Sequence, residues 1–273
     1  MTIKELARPY ASMFRVQLIA QLQHRAAAWA GIATQFFFGF VFVMMFSAFY
    51  RDGTVVPPMP LDRLVAYQWL KQSCLMIVAL WSQDGELSDQ IVSGSVAYSL
   101  CRPMELYSLW AARLIANRIA RWSLRCVPVL VFAALLPAPY GMIPPPGVGA
   151  ALMFALSLAL ALLVVVGLSM YVYTLTFVMM SLTGPRLLVS TLSDFASGLL
   201  IPLPLMPDWL QRILNLLPFR YTADVPFRVY SGDLAGAAAA EAIGLQLAWV
   251  IFLGVTGWFA FRAVLRRAVI QGG

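Results

Sequence analysis

The sequence predicts an all-α integral membrane protein with six transmembrane helices, an N-terminal amphipathic interface helix, and short outer helices between the fifth and sixth spans. Three observations predict it. The 273 residues are 61% hydrophobic and only 11% charged, with a mean hydropathy of +0.80. A soluble domain is about 45–50% apolar and about 25% charged. Six apolar stretches approach the ~20 residues that a bilayer requires. A stretch from Ser193 to Gly232 then interrupts the helical pattern with prolines and restarts it as short two-faced segments.

Residues 1–25 form the amphipathic element. Ile3, Leu6, Tyr10, Met13, Phe14, Leu18 and Leu22 recur at three- and four-residue spacing, and Lys4, Arg8, Arg15 and Arg25 lie largely off that stripe. A basic two-faced helix suits the headgroup layer. Pro9 is expected to mark a break or a start within it. No apolar core of a secretory signal follows the first charges.

The spans are expected at roughly 27–49, 64–83, 115–136, 149–180, 187–205 and 240–261 within a membrane domain of residues 26–273. Cytoplasmic segments carry an excess of Lys and Arg. With both ends inside, Arg51, Arg63, Arg212, Arg220 and Arg228 lie outside and Lys71 lies within the membrane. The other 13 of the 19 basic residues lie inside. Both termini are therefore expected in the cytoplasm. The proline-rich, uncharged 137–147 connection is expected outside as a stiff turn.

The main cytoplasmic loop runs from residue 84 to 103. Asp84, Glu86 and Asp89 put negative charge at a helix start, where the backbone dipole favours it. Leu87 and Ile91 are placed to share a face, and Gly94 to end the turn. In the third span Arg118, Arg121 and Arg125 line one face, suited to reaching lipid phosphates or setting depth, or to an anionic path.

Two charges sit deeper. Lys71 is eight residues from Arg63, and Asp194 is eight from Arg186, each about 12 Å along a helix. Gln68 and Gln72 join Lys71 in one polar patch. Charges at such depth are costly and face protein or a water-filled cavity. They either pair with each other or flank a translocation path.

After the fifth span, Pro202, Pro204 and Pro207 are expected to stop the helix. Pro207 opens a new one with Asp208 in its first turn. Trp209, Leu210, Ile213, Leu214 and Leu217 share one face of it, and Pro218 ends it. The outer helical element spans 206–232.

Several chemistries have no motif. No GxxxxGK[ST] phosphate loop, HExxH or GxSxG occurs, so neither ATP hydrolysis nor membrane-embedded hydrolysis is expected here, and no cofactor is implied. Cys74, Cys101 and Cys126 lack CxxC spacing, so free thiols are expected and no metal. No contiguous basic soluble surface suggests a nucleic-acid partner. The single histidine, His24, is read as interfacial.

Two of these stretches resemble the permease subunits of ATP-binding-cassette exporters of the second type. The first is Gly198, Ile201, Pro202, Pro207, Trp209, Leu210, Leu217, Pro218 and Phe219, followed by Pro226, Tyr230 and Gly232. The second is Glu86, Ile91, Gly94, Leu100, Arg102 and Pro103. The resemblance implies a conduit in the cell (inner) membrane, built from two permease subunits, identical or related, and worked by separate ATPase subunits. It implies that residues 84–103 dock on the ATPase and that the N-terminal helix touches it. Pro202, Pro207, Trp209, Pro218 and Phe219 would form an outer gate element, and the second and fifth helices would line the path. The alternative is an autonomous secondary transporter or channel that uses Lys71 and Asp194.

Overall fold

The computed structural model describes residues 3–23, 25–51, 57–101 and 104–267. Arg102, Pro103 and His24 lie outside the described residues. All regular structure among the described residues is helical. In chain order the helices are α1 (Ile3–Leu22), α2 (Arg25–Arg51), α3 (Leu61–Val78), α4 (Gly85–Val92), α5 (Val96–Leu100), α6 (Leu106–Leu135), α7 (Val148–Met179), α8 (Thr183–Ala196), α9 (Asp208–Leu214), α10 (Asp224–Tyr230) and α11 (Gly236–Leu265). Single 3-10 turns cover Leu203–Leu205 and Pro218–Thr222.

Three described helices are long and apolar enough to cross a membrane: Ala28–Arg51 within α2, Val148–Met179 and Gly236–Leu265. The chain is a multi-pass membrane protein. Helices α3 and α6 carry more polar residues for a physical reason. α3 is surrounded by protein, with 14 of its 18 residues buried. A polar side chain there meets partner helices rather than lipid. The main core gathers Tyr67, Leu70 and Cys74 of α3, Trp110 and Leu114 of α6, Met170 and Tyr173 of α7, and Phe261 of α11. Trp110, Tyr173, Phe177 and Phe261 interlock there, mostly edge to face.

Two boundaries differ from expectation. Pro9 neither starts nor breaks α1, which runs from Ile3 to Leu22 and rests Tyr10 and Met13 on the main core beside α6. The prolines at 202–207 do not stop the fifth predicted helix. α8 ends at Ala196, leaving 14 helical residues, about 21 Å. The cause is Gly198, whose φ of +83° is left-handed. The Leu200 N–H then returns to the Asp194 carbonyl at 3.1 Å. A Cβ at Gly198 would stand 2.4 Å from the Tyr67 hydroxyl oxygen, so glycine also meets a close approach.

Beyond that break, Gln211 Nε2 donates to the Met206 carbonyl at 2.7 Å and ties α9 to the preceding turn. The apolar face expected of α9 divides. Leu210, Leu214 and Leu217 pack on protein, while Trp209 and Ile213 are exposed. Phe219 is buried in the same cluster. The 137–147 connection closes against the bundle, because Trp69 Nε1 donates to the Tyr140 carbonyl at 2.8 Å and Met142 N–H to that of Ala133 at 2.9 Å.

Candidate functional site

The loop after α3 carries the most organised polar chemistry in the chain. Asp84 is the N-cap of α4, and its carboxylate accepts from Glu86 N–H at 3.1 Å. This cap satisfies one of the orphan donors of a helix start. The same carboxylate accepts from Arg113 Nε at 2.7 Å, Arg113 Nη2 at 3.1 Å and Asn117 Nδ2 at 2.7 Å. Arg113 also pairs with Glu86. The backbone of Asp84 is held as well, since its N–H donates to the Tyr173 hydroxyl at 2.7 Å and its carbonyl accepts from that hydroxyl at 3.2 Å. One residue thus fastens the loop to α6 and α7 together.

The rest of α4 follows from this clamp. Leu87 and Ile91, one turn apart, are both buried in the main core. Ile91, expected to take part in docking, therefore anchors the helix from inside rather than offering a surface. Gly94 takes φ +74° after the Ser93 cap and turns the chain into α5. Val92, Tyr98 and Leu100 are left exposed, Tyr98 at 80%. Glu86 and Asp89 stand in the open beside them. The result is a short two-helix platform, rigid below and apolar with acidic flanks above. Tyr98 was not legible as part of it, because its exposure depends on Ile91 and Val96 turning inward.

The arginine face of α6 has a different task from the one expected. Arg118 is 1% exposed and reaches no lipid. Its Nη1 donates to the carbonyls of Met76 (3.3 Å), Ile77 (3.2 Å) and Ala79 (2.8 Å). Its Nη2 donates to Ser82 O at 3.2 Å and Ser169 Oγ at 3.3 Å. A single guanidinium caps the carbonyl end of α3, which would otherwise present unpaired acceptors. Arg121 adds a bond to Ser82 Oγ at 2.8 Å. Arg125 lies against Gly31 of α2 and Met76. The arginines hold the helices together at the root of the loop.

The deep polar residues are placed differently. Gln68, Lys71 and Gln72 are all buried on α3, as a patch. Lys71 Nζ lies 3.4 Å from the ring centroid of Phe42 on α2 and has no hydrogen-bond partner. Asp194 is half-buried on α8, and its Oδ1 is buried without a partner. A Lys71–Asp194 pair, one of the two arrangements the sequence leaves open, is not among the ion pairs of the described residues. Lys71 points instead at an aromatic face, where a desolvated ammonium gains electrostatic attraction.

On the far side of the bundle, Asp224 is fully buried between Arg220 Nε at 3.3 Å and Arg228 Nη1 at 3.5 Å. Arg228 reaches on to Asp233 at 2.6 Å, and Arg63 Nη1 donates to the Gly232 carbonyl at 3.2 Å. Burial pushes the Asp224 carboxyl up, against the opposing pull of Arg228 and Arg220. A second junction is Gln246 of α11. It donates to the carbonyls of Ser157 and Tyr221, each at 2.8 Å, and accepts from Ser157 Oγ at 2.9 Å. Pro202 and Pro207 precede the 3-10 turn and α9 respectively, and Pro218 opens the next turn.

All three cysteines are free, and no group of three metal-ligating side chains forms among the described residues. A sequence model of the ABC-2 family transporter proteins matches residues 64–272, which is most of the chain and contains the junctions at Asp84, Arg118, Asp224 and Gln246. No curated protein and no solved structure matches it significantly.

Proposed function

The chain belongs to the family of ABC-2 transporter proteins, and from that premise we propose that it is the permease subunit of an exporter driven by a separate ATPase. In this reading α2, α3, α6, α7, α8 with its following turn, and α11 are the six spans of a protein of the cell (inner) membrane. Both termini face the cytoplasm. The α4–α5 platform receives the ATPase, together with α1. A second permease subunit, identical or related, completes the path. Residues 206–232 gate its outer end, and Gln68, Lys71, Gln72 and Asp194 flank it.

The observation that carries the proposal is the four-way hold on Asp84. A docking element transmits force only if it cannot hinge on its own stem. Asp84 is bonded to Arg113 and Asn117 of α6 and to Tyr173 of α7. A push on α4 therefore moves both helices. From Tyr173 back to Ser157 is 16 residues of uninterrupted helix, about 24 Å. At Ser157 the Gln246 junction takes up the outer turn at Tyr221. ATP-driven closure of the ATPases would reach the outer element through α7 as a rod.

The experiment places a photo-crosslinking amino acid at Tyr98 and co-expresses the chain with its ATPase. Crosslinks to the ATPase are expected, and Tyr98→Asp is expected to weaken association at least tenfold with an unchanged Tm. Transport that persists with a Walker-dead ATPase overturns the exporter reading. Crosslinks absent at Tyr98 and Val92 overturn the platform.

A further inference from the structure

This mechanism leaves unused a cavity of about 360 Å³ between α3, α6 and α7. This volume falls in the range of small-molecule sites, about 300–1,000 Å³. One wall is a single row of α6: Trp122, Cys126, Leu130 and Ala134, each four residues from the last. The row spans 12 residues, about 18 Å. Volume over length gives a mean cross-section of about 20 Å². That is the girth of one extended alkyl chain.

The lining has the matching chemistry. Its floor is Leu70 and Cys74 of α3, both 1% exposed, with Leu158 of α7 opposite. No charged residue takes part. Free thiols in such a setting behave as small apolar groups. The far end is closed by the 142–144 segment, and Phe154 of α7 meets Tyr230 of α10 there edge to face at 5.1 Å between centroids. The row ends in Ala134, which is exposed, so the slot opens sideways between helices rather than to an aqueous end.

We propose that this slot is a binding site for one acyl chain of a resident membrane lipid. The chain lies along α6 with its tip at Trp122 and its headgroup leaving the slot at Ala134. The inference needs the protein to be in a bilayer and needs nothing of the ATPase, so the two readings fail independently. Which leaflet supplies the lipid follows the proposed orientation, with the 137–147 connection outside.

The test uses the full chain alone in liposomes containing phosphatidylethanolamine with a diazirine near the end of one acyl chain. After illumination, adducts are mapped by mass spectrometry. Adducts on 122–134 and 70–74 are expected at least threefold above those on the lipid-facing Ile251 and Val255 of α11. Ala134→Trp fills the mouth and is expected to cut slot labelling at least fivefold while leaving α11 unchanged. Leu158→Phe, from the opposite wall, serves the same purpose if Ala134→Trp does not fold. Equal labelling of slot and α11, or slot labelling that neither variant lowers, overturns the proposal. Adding the ATPase and ATP separates a resident lipid from cargo. Unchanged labelling is expected, and loss of label during turnover overturns a resident lipid in favour of a transported amphiphile.

Discussion

Arg113 Nε stands 2.7 Å from Asp84 Oδ2, across the seam between α6 and the N-cap of the loop helix. Both side chains are nearly inaccessible, at 9% and 6%. A buried pair of this kind is weak evidence for net stability, yet removing one partner strands the other. Asp84→Ala and Arg113→Ala are each expected to cost roughly 3–5 kcal/mol. The double variant should cost clearly less than the sum, because neither charge is then stranded. Thermal unfolding of the purified protein measures this cycle. Additive losses would mean that the contact is not the source of the effect.

Arg118 serves five acceptors from a position 1% exposed. A buried acceptor left without a donor costs about 1–3 kcal/mol. Arg118→Ala is therefore expected to abolish monodisperse protein. Arg118→Lys should recover little, since an ammonium cannot fan across carbonyls as a planar guanidinium does. The exposed Arg186 is the control: Arg186→Ala should lie within about 0.5 kcal/mol of the parent. Size-exclusion profiles and Tm values decide it.

Gly198 and Tyr67 form a second coupled pair. Gly198→Ala adds a Cβ at a left-handed φ and against the Tyr67 hydroxyl. Strain at such a position costs of order 1–3 kcal/mol before the clash is counted. Tyr67→Phe removes the clash and also the 3.3 Å bond to the Gly198 carbonyl. Gly198→Ala is thus expected to be less damaging in the Tyr67→Phe background than alone. An equal loss in both backgrounds would place the whole effect in the backbone.

Lys71 and Asp194 are expected to act independently. Lys71 faces Phe42, and Asp194 has no basic partner among the described ion pairs. Lys71→Met is expected to leave Tm equal or higher, because an apolar chain of similar length replaces an unpaired ammonium. A double-mutant cycle with Asp194→Asn should give a coupling below about 0.5 kcal/mol. A charge exchange, Lys71→Asp with Asp194→Lys, should rescue neither single defect. Rescue would mean that the two meet in another state of the transporter.

The amino-acid sequence by itself determined the class of this protein. Long apolar runs and scarce charge are local properties, and a bilayer reads them without help from the rest of the chain. The acidic start of α4 and the turn at Gly94 were legible for the same reason, since a helix dipole and a left-handed φ are settled within a few residues. The tertiary structure alone decided the partners. Asp84 and Arg113 are 29 residues apart, and Ser157 and Gln246 are 89 apart. No spacing rule joins such pairs. It also reassigned Arg118 from lipid to the end of α3 and turned Ile91 inward. A buried side chain bonds to whatever the packing of other helices brings within about 3 Å, and that is a property of the whole bundle.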